Sequence, residues 1–137
     1  MPESTKVPLF TMFLPITPVP KGRPRFTSRG QRYTPPETRK AEADVKALLM
    51  TRRPSEPILG PLSVEIHFYL VAPKYRPKSR HYPSVRPDID NLAKLILDCL
   101  QPEILHDDSQ VVTLLTSKSY AQEPGVQIQI SKKEPPP

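Results

Sequence analysis

Between Leu62 and Leu70 the chain reads LSVEIHFYL, with Leu62, Val64, Ile66, Phe68 and Leu70 apolar and Ser63, Glu65 and His67 polar between them. No helix suits that order. Steps of about 100° would scatter the five apolar side chains around the whole circumference, whereas a strand, with its period of two, lines them on one face. The chain must therefore contain a half-buried strand, and other elements must supply what covers it.

Those elements can be read on either side. Phe10, Met12, Leu14 and Ile16 alternate with Thr11 and Phe13 and predict a first strand. The segment from Val7 to Ile16 lacks a basic leader and a small-residue cleavage site, and Pro8 and Pro15 interrupt it, so it reads as strand and not as a secretion signal. Thr34-Pro35-Pro36-Glu37 reads as a capping box with proline at the first helical position, opening a helix with Ala41, Val45, Leu48 and Leu49 as its apolar stripe, ending near Arg52. A second helix carries Leu92, Leu95, Ile96, Cys99 and Leu100 at i, i+3, i+4, i+7 and i+8. A turn at His106-Asp107-Asp108 leads into an apolar strand, and Val126, Ile128 and Ile130 mark a last one. The expected class is α+β: a small mixed sheet packed by two main helices, with long basic proline-rich loops.

A chain of 137 residues, 36% hydrophobic and without a composition break, suits one domain over residues 1–137. Met1 to Lys6 and Lys132 to Pro137 read as frayed tails. The lone cysteine, Cys99, lies on a core stripe, excludes an internal disulfide and suits a reducing, cytoplasmic setting. No stretch is long enough to span a bilayer. The formal net charge of +6 favours a polyanionic partner.

The cations are concentrated in two loops. The first holds Lys21, Arg23, Arg25, Arg29 and Arg32 with Phe26 and Tyr33, and the second holds Lys74, Arg76, Lys78, Arg80 and Arg86. Arginine forks bind phosphates bidentately, interleaved aromatics stack on bases, and prolines stiffen the loops that carry them, so these residues are expected to contact nucleic acid.

Within this basic chain the stretch RPDIDNLAK keeps Asp88 and Asp90 together. They converge only if Asp88 sits before the first helical turn, because two helical steps would place them about 200° apart. Helix capping and dipole complementation would account for such acids without any chemistry. With a third acid from the Asp107-Asp108 turn, however, they would give the hard oxygen ligands that Mg²⁺ takes, with Mn²⁺ a possible substitute. A divalent cation reconciles carboxylates with a phosphodiester, and Lys94, one turn beyond Asp90, is placed to reach the same phosphate. His106-x-Asp108 lacks the following histidine that an iron triad would need.

The stretches RPDIDNLAKLILDCL and ILHDDSQVV, together with VPKGRPRF and YTPPET, resemble the RusA family of Holliday-junction resolvases. That resemblance implies a small homodimeric endonuclease that cuts branched, four-way DNA in recombination and repair with Mg²⁺. It implies metal-binding carboxylates at Asp88, Asp90 and Asp108, with Lys94 assisting catalysis and Asp107 as the neighbour. A non-enzymatic nucleic-acid-binding protein, or a metal-dependent nuclease of RNA or unbranched DNA, would share much of this pattern. A two-fold dimer would offer one acidic site to each of the two strands cut, and the strip Ala93, Leu97 and Leu100 either forms its surface around Leu97 or is covered by a neighbouring strand.

Overall fold

The structure, a computed structural model, describes residues 7–137; the tail expected at Met1–Lys6 lies outside the described residues. In chain order the elements are β1 (Phe10–Leu14), a hairpin of β2 (Arg25–Phe26) and β3 (Arg32–Tyr33), α1 (Pro36–Met50), β4 (Leu62–Val71), α2 (Ile89–Leu100), β5 (Val111–Ala121) and β6 (Gly125–Lys132).

The alternating stretch forms β4, in the interior of a sheet ordered β1-β6-β4-β5. β6 runs antiparallel to both β1 and β4, while β5 runs parallel to β4. Parallel neighbours need a crossover, and α2 provides it, returning the chain from the far end of β4 to the start of β5. Leu62, Val64, Ile66 and Phe68 share one core with Ala41, Val45 and Leu49 of α1 and with the expected stripe of α2. Each large side chain buried there contributes about 1.5–3 kcal/mol. This is the α+β arrangement of two helices on a mixed sheet that the patterning predicts.

Three details differ from expectation. The capping box at Thr34 does not form: Pro35 occupies the cap position with extended backbone and no side-chain cap hydrogen bond, and the helix starts at Pro36. A residue before proline is driven out of the helical region, so Thr34 and Pro35 both stay outside the helix. Part of the first basic loop is the β2–β3 hairpin, turned by Gly30 at φ 81° and by the Thr27 hydroxyl, which accepts from the N–H groups of Arg29 and Gln31. At the other end, Lys132 pairs with Leu62 and the Lys133 N–H donates to the Pro61 carbonyl, so the chain leaves the sheet later than expected. On the second helix Ala93 and Leu100 are covered by the fold, one of the two alternatives for that strip, while Leu97 packs half-buried against the core.

Candidate active site

α2 begins where the acids lie. Asp88 occupies its cap position in extended backbone (φ −73°, ψ 139°), one residue ahead of the first turn, and its carboxylate makes no cap hydrogen bond. Capping therefore does not account for Asp88. Asp90 and Lys94 follow on the exposed side, opposite the buried stripe. Asp90 Oδ1 accepts from the Asn91 N–H at 2.9 Å, one of the helix's unpaired N-terminal donors.

Two lysines hold this helix end in place. Lys118 sits on the helix-bearing side of β5, in register with the buried Phe68, and its Nζ donates to the carbonyls of Val85 and Pro87, both at 2.9 Å. It anchors the segment that delivers Arg86 and Asp88. Nothing in the sequence marked Lys118 for this task; only the parallel register of β4 and β5 brings it to the loop. Lys21 donates its N–H to the Asn91 carbonyl at 2.9 Å, while its Nζ pairs with Glu42 of α1 at 2.8 Å and Asp98 of α2 at 2.9 Å. Burial pulls the Lys21 ammonium down, but hydrogen bonds to Glu42 and Asp98 and their charge outweigh it, leaving its pKa above the ordinary lysine value. The charge of Lys21 is matched within the fold and docks the first loop onto both helices. Next to it, the Gly22 N–H donates to Thr38 Oγ1 at 3.0 Å, an approach so close that a Cβ at Gly22 would lie 2.6 Å from that oxygen.

With the loop docked, a cleft of about 650 Å³ opens between the two basic segments, lined by Pro20, Lys21, Arg23, Arg86, Pro87, Asp88 and Asn91. Arg23 and Arg86, from different loops, thus share one cleft with Asp88. Arg25, Arg29 and Arg32 project from the exposed hairpin. Lys74, Arg76 and Lys78 are exposed and Arg80 half-buried in the second loop. There Arg76 stacks 4.9 Å from the Tyr120 ring centre and donates to the Arg80 carbonyl, while Lys74 lies 5.8 Å from the Tyr75 ring.

The acids of the turn divide by task. Asp107 caps a short 3₁₀ turn, Asp108–Gln110, accepting from the Ser109 N–H at 2.9 Å while Gln110 Oε1 accepts from the Asp107 N–H. Ser109, through its side chain first and its N–H second, holds the Asp107 carboxyl below the ordinary carboxylate value. Asp108 uses only its backbone in this way: its N–H donates to Gln101 Oε1 at 3.0 Å, and its side chain stays exposed.

Gln101, however, closes the C-terminal end of α2, and a helix of 12 residues spans about 18 Å. The sheet gives a second ruler, because Lys118, beside the Asp88 segment, lies seven strand residues, about 23 Å, beyond Val111, which follows the Asp108 turn. Asp108 therefore stands at the opposite end of the crossover from Asp88 and Asp90. In agreement, no group of three or more His, Cys, Asp or Glu residues is gathered to hold a metal ion among the described residues. No helix among them is long and apolar enough to cross a membrane.

Residues 15–131 match the family model for endodeoxyribonuclease RusA. The uncharacterized protein YqaN of Bacillus subtilis (strain 168) is 33% identical over 126 residues, an alignment covering 82% of this chain and 89% of that protein. The match takes in both helices, both basic loops and the two acidic stretches, and the chain belongs to the RusA family of endodeoxyribonucleases, which resolve Holliday junctions.

Proposed function

We propose that this protein is a Mg²⁺-dependent, structure-selective endonuclease that hydrolyses four-way DNA junctions in recombination and repair, and that it acts as a homodimer. The observation that carries this reading is the cleft in which Arg23 and Arg86, supplied by separate loops, flank the uncapped carboxylate of Asp88. Arginines there bind phosphate oxygens, and a carboxylate beside a phosphodiester makes chemical sense with a cation between them.

The donors fit Mg²⁺: Asp88 and Asp90 offer exposed hard oxygens at one helix end. Because Asp108 stands at the other end of α2, the set is completed by Asp108 of the partner subunit, with Asp107 left to cap its turn. Mn²⁺ is the expected substitute. When bound, the metal lowers the pKa of a water and offsets charge on the phosphate. The chain's own part is positional: Arg23 and Arg86 grip the strand, Lys94 stabilises charge on the scissile phosphate, and Lys118 fixes the Asp88 segment. The uncapped Asp88 also favours this reading over a binding protein whose acids only finish a helix.

Incubating wild type and Asp90→Asn with a synthetic four-way junction, a Y-fork and a linear duplex, in Mg²⁺ or EDTA, tests it. The expected result is cutting of the four-way junction in Mg²⁺ alone, reduced by orders of magnitude in Asp90→Asn while junction affinity in EDTA is unchanged. Wild-type cutting by Asp90→Asn would reject the metal site.

The loop cations have a separate test. Phosphate contacts position a protein without reading bases, so Arg23→Ala and Arg25→Ala are expected to weaken binding to every DNA sequence. Each should lower the salt dependence of binding by about one unit of slope. An unchanged slope would move the DNA path off this loop.

A further inference from the structure

We propose that Glu65 and His67 form a metal site on the open face of the sheet, separate from the acids of α2, which takes a divalent transition cation of the Zn²⁺ class and not Mg²⁺.

Glu65 and His67 alternate along β4 with Val64, Ile66 and Phe68, which are buried beneath the helices, so they stand together on the other face. The sheet thus lies between this pair and the acids at the start of α2. Their side chains are 36% and 31% exposed, within reach of an ion from solvent. His67 Nε2 lies 3.7 Å from Glu65 Oε1. That gap is too long for a hydrogen bond, so neither atom satisfies the other directly. It suits a shared cation: with bonds of about 2.0–2.2 Å to each, an ion between them would make an angle of about 120°, near the tetrahedral value.

Both donors are already oriented from the neighbouring strands. In the sheet register His67 stands beside Ser117 of β5, and Glu65 beside Gln129 of β6. His67 Nδ1 lies 2.6 Å from Ser117 Oγ, and Gln129 Nε2 donates to Glu65 Oε2 at 3.4 Å. An imidazole that binds a metal gives its second ring N–H to an oxygen, which fixes the tautomer and turns the other nitrogen's lone pair toward the ion. With the proton on Nδ1 and Ser117 Oγ accepting it, the Nε2 lone pair and the Glu65 carboxylate are two acceptors facing each other. A cation joins such a pair, and without one they repel. The imidazole also sets the selectivity, because it suits Zn²⁺, Cu²⁺ or Ni²⁺, whereas Mg²⁺ takes oxygen donors. Two protein donors leave the remaining positions to water, so the bound ion is exchangeable.

Calorimetric titration of ZnCl₂ into the Asp88→Asn/Asp90→Asn variant tests the site, since those substitutions remove the competing carboxylates of α2. One Zn²⁺ should bind per chain, and excess Mg²⁺ should not displace it. Adding His67→Ala or Glu65→Ala should abolish binding. Adding Ser117→Ala should weaken it about tenfold, the scale of effect of the partner that orients a ligating histidine. The same change at another exposed histidine, His81→Ala, should leave it intact. In the wild-type chain Zn²⁺ should raise the melting temperature, and in His67→Ala, with an unchanged circular dichroism spectrum, it should not. A chain that binds no Zn²⁺, or binding that survives His67→Ala or disappears in His81→Ala, would overturn the site. None of those results would touch the Mg²⁺ reading of Asp88 and Asp90.

Discussion

Mixing the Asp88→Asn and Asp108→Asn variants is expected to restore junction nicking that neither shows alone. If each site takes Asp88 and Asp90 from one copy and Asp108 from the other, a mixed dimer contains one site with both substitutions and one with none. Random exchange of equal amounts makes half the dimers mixed, so about a quarter of the wild-type number of sites returns. Those sites are never paired in one dimer, so the product is nicked junction and not two resolved duplexes. Asp88→Asn mixed with Asp90→Asn is the control: both acids come from the same copy, every site stays incomplete, and no activity should return. If the Asp88→Asn and Asp108→Asn mixture stayed as silent as its parents after subunit exchange, the site would not be shared between copies.

The second large effect is expected at Lys118. Lys118→Met keeps most of the apolar stem but removes the two hydrogen bonds to the Val85 and Pro87 carbonyls. Bonds from a charged donor are worth about 1.5–3 kcal/mol each, and part of this should appear as lost stability. The larger change should be in kcat, falling by about a hundredfold, because a displacement of roughly 1 Å in a reacting group has that scale of effect. Junction affinity, which the proposed function assigns to the arginines, should hardly move, and Lys118→Arg should recover part of the rate. If kcat stayed at the wild-type level in protein shown by melting to be folded, Lys118 would not be a positioning residue.

How far the sequence reveals this molecule varies by element. β4 and α2 were legible because burial on one face imposes a period, and a period survives without knowledge of neighbours. The angular step of the helix set the placement of Asp88 ahead of the first turn as the condition for Asp88 and Asp90 to converge, and the structure meets it. The β2–β3 hairpin was not legible: two residues per strand are too few to carry a period, and its side chains are exposed. The capping box failed because the backbone restriction before proline outweighs a hydroxyl in the right position. Charge in a loop could not distinguish Lys21 from Arg23, since Glu42 and Asp98 meet Lys21 only after both helices have packed. Turn position alone left the two adjacent acids at 107 and 108 equivalent, with only the family resemblance favouring Asp108, whereas hydrogen bonding ties the Asp107 carboxylate to the turn and leaves that of Asp108 exposed.

The crossover that separates Asp108 from Asp88 has an evolutionary corollary. The separation of Asp88 from Asp108 is written into the lengths of one helix and one strand. Rigid elements do not stretch gradually: lengthening α2 by a turn without lengthening β5 to match would break the packing between them. Insertions in the two basic loops meet no such restriction. Descendants of this chain are therefore free to vary the two basic loops, residue by residue, while the distance between the acidic ends of the crossover stays locked.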